Sequence, residues 1–222
     1  MAKKDKKIEA LVYPNENSPR LFKNKFLEFL TRSHPLVIYG MYAVLSYFSI
    51  AHYYNQHHAS VGSIIGLFFL GILAWTLAEY LMHRFLYHKI EDATYDSGIQ
   101  YLFHGIHHEY PNDKARLVLP VIPSLLLASV FFGIFYFIMK EYAFVFAPGF
   151  VIGYATYMSI HYMLHTVKPP RKFDFWWRFH AIHHFQQHDR AFGVSSPLWD
   201  IIFRTMPIKG RKTVNVVRKK ES

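Results

Sequence analysis

The sequence predicts an all-α fold, an integral-membrane bundle of about four transmembrane helices with a cytosolic helical cap. Hydrophobic residues make up 52% of the 222 residues and aromatic residues 18%, which is more than a soluble domain needs. Apolar segments of about 20 residues recur along the chain, and a helix of that length crosses the hydrocarbon core of a bilayer. The basic residues flank these segments, as they do in membrane proteins.

The N-terminal residues 1–33 are polar and basic and contain a short amphipathic stretch at 21–30, which we expect to lie on the membrane surface. No apolar stretch follows the basic start of the chain before Leu36, so we expect no cleavable signal peptide. The sequence therefore predicts three parts: a basic cytosolic or interfacial N-terminus at 1–33, a membrane domain at 34–210 and a basic C-terminal tail at 211–222.

Four apolar segments follow the N-terminus, at 35–54, 61–82, 118–139 and 142–160. Glycines in the second segment predict close helix packing there, at Gly62, Gly66 and Gly71. One of the four segments could instead form a re-entrant hairpin. An even number of crossings, or paired hairpins, would keep both ends of the chain on the same side.

The distribution of positive charge predicts which side that is. Residues 1–33, 83–117 and 161–222 carry 8, 4 and 12 of the 25 lysines and arginines. Lys140 is the remaining one, and the loop at 52–60 has no charged residue. By the positive-inside rule, both termini and both histidine-rich stretches lie in the cytosol. Topology and an anionic lipid surface explain the net charge of +10, so we expect no nucleic-acid partner.

Ten of the 15 histidines fall in four compact motifs: H-x4-H, H-x2-H-H, H-x3-H and a second H-x2-H-H. They are His83, His88, His104, His107, His108, His161, His165, His180, His183 and His184. Spacings of three and four place side chains on one helix face, where they can converge on an ion. Neutral imidazole binds Fe, Zn, Cu or Ni. Ten ligands exceed the capacity of one ion, so the pattern predicts two ions with about five nitrogens each.

The other histidines, and the acidic residues near the motifs, have weaker signals. We interpret four histidines near the ends of the first span as interface residues: His34, His52, His57 and His58. Ligating imidazoles usually donate their second ring N–H to an acceptor. The candidates for orienting them are Glu79, Asp113, His188, Asp189 and Asp200. Glu79 stands out because a carboxylate at the end of an apolar span is costly unless paired, although an ion pair with Arg84 or Lys89 would also explain it.

Three stretches resemble the fatty acid hydroxylase/sterol desaturase superfamily, and within it most resemble the fatty acid 2-hydroxylases of sphingolipid metabolism. They are EYLMHRFLYH (79–88), FHGIHHEYPNDKARLVLPVIPS (103–124) and, within 161–200, HYMLH and FHAIHHFQQHDRAFGVSSPLWD. The resemblance implies that the ten motif histidines hold two iron ions, and zinc can occupy such sites in purified protein. It also implies an O2-dependent di-iron monooxygenase that inserts one oxygen atom at C2 of a long fatty acyl chain, in a sphingolipid such as ceramide.

The resemblance also implies partners and a location. Many family members carry an N-terminal cytochrome b5 domain, whereas only residues 1–33 precede the first apolar segment here. We therefore expect a separate electron donor, cytochrome b5-like or ferredoxin-like. The active site would face the cytosol, at the endoplasmic reticulum of a eukaryote or the inner membrane of a bacterium. The terminal Lys219–Ser222 fits a dilysine retrieval signal and equally a basic tail.

The motifs leave two other functions open. One is a different lipid oxidation in the same superfamily, on a sterol, a carotenoid or a sphingoid base, because the scaffold and metals would be shared. The other is a histidine-rich metal transporter or store. A transporter should place polar ligands near mid-membrane, and the centres of the predicted spans contain no histidine.

Overall fold

The computed structural model describes residues 8–14, 16–88 and 100–218. The basic start of the chain and the dilysine sequence at its end lie outside these residues. The chain divides into two compact units. The first comprises Met1–Pro19, Glu79–Leu117 and Ile160–Ser222, and the second comprises Arg20–Ala78 and Val118–Ser159.

The described residues are mostly helical, as the sequence predicts. Their α-helices are α1 (Lys25–Phe29), α2 (Pro35–His57), α3 (Val61–Leu81), α4 (Ile106–Glu109), α5 (Val121–Met139), α6 (Ala143–Thr166), α7 (Phe175–Phe185) and α8 (Leu198–Ile202). Shorter helical segments are π-helical at Met82–Tyr87 and Tyr101–Gly105, and 3₁₀ at Lys140–Tyr142. Two strands complete the described elements, β1 (Ile8–Val12) and β2 (Val214–Arg218).

Three helical stretches are long and apolar enough to cross a membrane: Pro35–His57, Val61–Tyr87 and Val121–Thr166. The third has 46 residues and contains α5 and α6, joined by the 3₁₀ turn. Ring centroids of Phe135 and Phe146 lie 4.8 Å apart, and those of Phe132 and Phe144 lie 5.3 Å apart. Residues late in α5 thus meet residues early in α6, so the two helices fold back on each other.

Histidines cap α2 at both ends. Pro35 occupies the first turn, and the side chain of His34 accepts the backbone N–H of Leu36 at 3.3 Å, as residues that cap helix N-termini do. His58 follows the helix in the left-handed region, with φ 45°, where a helix commonly ends. The ring of His57, the last residue of α2, lies 4.8 Å from that of Tyr53 one turn earlier. These three histidines therefore contact the ends of α2.

Helices α3 and α6 approach closely in the second unit. A Cβ atom on Gly71 would lie 2.1 Å from the carbonyl oxygen of Phe146, and one on Gly149 would lie 1.9 Å from that of Phe68. The prediction of close packing is confirmed for Gly71. For Gly62 and Gly66 it is wrong. A Cβ on Gly62 would come no closer than 4.0 Å to the hydroxyl of Ser60, and one on Gly66 would meet nothing within 4 Å.

A two-stranded parallel sheet in the first unit adds to the predicted all-α fold. Strand β1 pairs with β2, with Ile8 opposite Val214. Just after β1, the backbone N–H of Tyr13 donates to the carbonyl of Glu109 at 2.8 Å, and its ring stacks on that of Tyr110 at 5.0 Å. Each strand has five residues, and its partner lies at the other end of the chain. Local sequence patterns therefore do not reveal this sheet.

Candidate metal centre

All ten motif histidines lie in the first unit and converge there. His83 is in the first π-helical segment and His88 directly follows it, whereas His104 is in the second. The remaining seven are on α-helices: His107 and His108 on α4, His161 and His165 at the end of α6, and His180, His183 and His184 on α7. Nine of the ten are buried and His165 is half-buried. π-helical turns are frequent at functional sites because they re-aim side chains.

The ten side chains form two groups of five, and within each group the candidate ligand nitrogens lie within 4.8 Å of one another. The first group is His83, His88, His104, His108 and His183. The second group is His107, His161, His165, His180 and His184. Each H-x2-H-H motif contributes to both groups. Adjacent helical residues point about 100° apart, so His107 and His108 reach different centres.

Nitrogen–nitrogen distances in the first group are short. The Nε2 atoms of His83 and His104 lie 3.0 Å apart, and those of His104 and His108 lie 2.9 Å apart. The Nε2 atom of His88 is 3.2 Å from that of His83 and 3.0 Å from that of His183. The five imidazoles therefore point one nitrogen each toward a common centre.

The second group has the same character. The Nε2 atoms of His165 and His180 lie 2.8 Å apart, and those of His107 and His184 lie 3.2 Å apart. The ring of His161 lies 4.4 Å from that of His107 and 4.9 Å from that of His180. The H-x2-H-H motifs of α4 and α7 thus meet.

Backbone carbonyls fix the tautomer of two imidazoles in the first group. Nδ1 of His83 lies 2.5 Å from the carbonyl oxygen of Phe192, and Nδ1 of His183 lies 2.7 Å from that of Arg190. A carbonyl oxygen only accepts, so both Nδ1 atoms carry the proton. In the neutral rings, Nε2 then carries a lone pair that points toward the centre of the group.

Burial keeps the imidazoles neutral. It lowers the pKa of His104, His108 and His183 well below the ordinary value of 6.5, and neighbouring imidazoles lower it further, because a charged ring loses hydration and meets like charges. The same causes lower the pKa of His107, His180 and His184 in the second group. Neutral imidazole is the form that binds metal.

This donor set fits a metal ion in each group. The Nε2 atoms of His83 and His183 carry lone pairs toward the centre of the first group, and a metal cation there would accept both. A metal–nitrogen distance of about 2.1 Å places ligands at right angles about 3.0 Å apart, close to the 2.9–3.2 Å separations of the first group. All-nitrogen sites suit Fe, Zn, Cu or Ni better than Mg or Ca.

The predicted orienting residues have other immediate partners. The carboxylate of Asp113 accepts from the backbone N–H of Ser18 at 3.1 Å, and that of Asp189 pairs with Arg211 at 2.6 Å. His188 is buried, and its Nε2 lies 2.8 Å from the carbonyl oxygen of His184. His188 belongs to neither group, although its ring lies 4.8 Å from that of His108.

Glu79 and Asp200 both bind backbone N–H groups of the loop before α8. Glu79 accepts from Val194 at 2.6 Å, and Asp200 accepts from Gly193 at 2.7 Å. Arg84, proposed above as an ion-pair partner of Glu79, donates to the hydroxyl of Tyr80 at 2.8 Å; Lys89 lies outside the described residues. The same loop contains the backbone carbonyls of Arg190 and Phe192, which accept from His183 and His83. Sequence reasoning could not find these acceptors, because every residue has a backbone carbonyl.

Helical architecture, three candidate spans and ten clustered histidines define a membrane protein with histidine-rich metal-binding groups. Residues 68–205 match the family model described as fatty acid hydroxylase. The chain is 32% identical to dihydroceramide fatty acyl 2-hydroxylase FAH1 of Arabidopsis thaliana over 197 residues, covering 86% of this chain and 81% of that protein. The chain belongs to the fatty acid hydroxylase family and is a hydroxylase of lipid metabolism, which confirms the resemblance seen in its motifs.

Other relatives extend this finding. The chain is 39% identical to the fatty acid 2-hydroxylase of Homo sapiens over 148 residues, which are 64% of this chain and 39% of the human protein. A solved structure described as full-length scs7p, with only its hydroxylase domain visible, has a TM-score of 0.76 and 28% identity. The match covers 89% of this chain and 75% of that chain.

Proposed function

We propose that this hydroxylase inserts one oxygen atom from O2 at C2 of a long fatty acyl chain carried by a sphingolipid. The observation that carries the proposal is the division of ten imidazoles, nine of them buried, into two groups of five. Relatives at 32–34% identity over most of the chain are named dihydroceramide or ceramide fatty acid hydroxylases. Both observations favour this reaction over metal storage.

The ten motif histidines would hold two iron ions. Iron bound there would supply the redox chemistry that splits O2, which side chains cannot perform by acid–base catalysis. The protein holds the imidazoles neutral through burial, and it directs the Nε2 atoms of His83 and His183 inward by accepting their Nδ1 protons on backbone carbonyls. One oxygen atom enters the C2–H bond, and the other leaves as water with two electrons and two protons from the donor system.

The second unit contains a small apolar pocket. It is lined mainly by aromatic and aliphatic side chains, among them Trp75, Phe131 and Phe150. Its polar edge contains Tyr42, whose hydroxyl lies 2.6 Å from Oγ of Ser124. The apolar lining is of the kind that contacts hydrocarbon, whereas the lipid substrate itself is supported by the names of the relatives.

The charge distribution and the α5–α6 hairpin support four crossings. Helix α5 has 19 residues and α6 has 24, and each length suffices for one crossing. Both termini and the metal centre would then face the cytosol, at the endoplasmic reticulum or a bacterial inner membrane. A separate cytochrome b5-like or ferredoxin-like protein would deliver the electrons there, close to the iron.

Mass spectrometry of acyl chains from cells with and without the expressed protein tests the proposal. We expect 2-hydroxy acyl chains in sphingolipids only in cells that express it, and only when iron is supplied. A hydroxyl on a sterol, a carotenoid or the long-chain base would contradict C2 hydroxylation. Bound metal without any oxidised lipid would favour the metal store.

A further inference from the structure

The segment between α7 and α8, here called the 190–195 loop, serves the first histidine group through its backbone. The carbonyl of Arg190 accepts Nδ1–H of His183, and the carbonyl of Phe192 accepts Nδ1–H of His83. These two carbonyls are two residues apart in the loop. The direction of both imidazoles therefore depends on how this short stretch of backbone is held.

Glu79 holds the second half of the loop. Its Oε1 atom accepts the backbone N–H of Val194 at 2.6 Å and that of Ser195 at 2.9 Å. Its Oε2 atom accepts the hydroxyl of Ser195. Glu79 is 3% exposed, and a buried carboxylate is retained in a fold only where such hydrogen bonds compensate its lost hydration.

Asp200 holds the first half in the same way. Its Oδ1 atom accepts the backbone N–H of Phe192 at 3.0 Å and the hydroxyl of Thr205 at 2.7 Å. Its Oδ2 atom accepts the backbone N–H of Gly193 at 2.7 Å, and Asp200 is fully buried. Four consecutive backbone N–H groups of the loop thus end on two carboxylates.

The loop needs this support because its backbone is strained and crowded. Ala191 has a φ of 58°, which residues with a side chain rarely adopt. A Cβ atom on Gly193 would lie 2.1 Å from the carbonyl oxygen of Ser196. A conformation of this kind persists only where its surroundings over-determine it.

We propose that Glu79 and Asp200 are positioning residues that lock the 190–195 loop, so that its carbonyls aim His83 and His183 at one metal ion. The inference rests on the proposed function for the identity of that ion. Both imidazoles belong to the first group. Loosening the loop should therefore release the metal of the first group and spare that of the second.

Three variants separate the effect of hydrogen bonding from the effect of charge. In Asp200→Asn, an amide nitrogen replaces one oxygen and faces a backbone N–H that can only donate, so the loop is unlocked. In Glu79→Gln, Oε1 still accepts both N–H groups, and the new amide can donate to the Ser195 hydroxyl, which accepts as well as donates. Glu79→Ala removes all three bonds. We expect Asp200→Asn and Glu79→Ala to lose the metal ion of the first group, and Glu79→Gln to keep it.

The measurement is the number of metal ions per protein in the purified, detergent-solubilised full chain, before and during exposure to a chelator. The parent protein should hold two ions, whereas Asp200→Asn and Glu79→Ala should lose one of the two. Glu28→Ala is the matched control, because Glu28 is a buried carboxylate of the second unit that accepts the backbone N–H groups of Leu21 and Phe22. It should keep both ions.

A milder variant covers the case in which the stronger ones do not fold. Ser195→Ala keeps both carboxylates and all backbone N–H groups, so we expect folded protein whose first ion leaves several-fold faster in chelator. His83→Ala should itself lose one ion. Adding Ser195→Ala to His83→Ala should cause no further loss, since both changes act on the same group.

Selective loss of one ion, with rescue by Glu79→Gln, supports the inference, because a general loss of stability would release both ions together. The inference is overturned if Ser195→Ala and the other folded variants keep two ions and release them at the rate of the parent protein. It is also overturned if the variants lose both ions together. Failure of the proposed function would look different: two stable ions in the parent protein and no 2-hydroxy product.

Discussion

At the scale of single residues, the two H-x2-H-H motifs divide between two centres. His104 and His108 are four residues apart and share a group, whereas His107 lies between them and belongs to the other. The sequence predicts the ten candidates and the number of groups. It does not predict which histidine joins which group, because that depends on how α4 and α7 meet.

The first prediction uses this division. His107→Ala and His183→Ala each remove one imidazole from a different group, so each should lose one ion and the double variant should lose both. Either single change should abolish the 2-hydroxy product, since the proposed reaction needs both metal ions, while helix packing stays intact. Elemental analysis of purified protein and lipid mass spectrometry measure the two effects.

His34→Ala is the control for this prediction. His34 caps α2 in the second unit, and losing such a cap typically costs about 1 kcal/mol of stability. The His34→Ala variant should bind both ions and still form the 2-hydroxy product. If His107→Ala and His183→Ala together still retained one ion, the two-group assignment would be wrong.

At the scale of elements, hydropathy patterns predict where the helices lie in the sequence. They predict less well which helix faces pack against each other. The predicted segment at 61–82 corresponds to α3, whose bounds are Val61–Leu81. Of the glycines predicted to allow close approach, Gly71 does so and Gly66 does not. A uniformly apolar helix gives no periodic signal for the face that meets its neighbour, so glycine positions alone could not separate the two.

The second prediction tests this packing. Gly71→Ala should destabilise the protein by about 1–3 kcal/mol, as overpacking does, because the new methyl would lie 2.1 Å from the carbonyl oxygen of Phe146. Gly66→Ala should be neutral or slightly stabilising, since its methyl meets nothing within 4 Å and alanine favours helix. Thermal unfolding in detergent compares them, and equal melting temperatures for the two variants would refute the close contact.

At the scale of the whole molecule, charge predicts sidedness, while composition and hydropathy predict a membrane protein. The family match over 68–205 contains the three stretches 79–88, 103–124 and 161–200 that carry the motif resemblance. The two compact units are interleaved along the sequence, and the division into an N-terminus, a membrane domain and a C-terminal tail stays a prediction. Two of the four histidine motifs lie at the ends of α3 and α6, helices that belong largely to the second unit, so the chain passes between the units at these motifs.

The third prediction concerns sidedness, and the absence of cysteine makes it simple to test. Single cysteines can be introduced at two exposed positions, Ser60 in the loop between α2 and α3 and Lys212 before β2. In sealed vesicles with the cytosolic face outward, a membrane-impermeant maleimide should label Lys212→Cys at once. It should label Ser60→Cys only after detergent. Labelling of both without detergent would contradict an even number of crossings with cytosolic termini.

The central claim is that this chain places one atom of O2 on C2 of a sphingolipid acyl chain. Cells that express it can be fed a long-chain fatty acid with deuterium at both C2 positions, under ¹⁸O2, with His107→Ala as the inactive control. The expected product is a sphingolipid whose acyl chain has gained one ¹⁸O at C2 and lost one deuterium there. Product with both deuteriums retained, or with its heavy oxygen at any other carbon, would contradict the account.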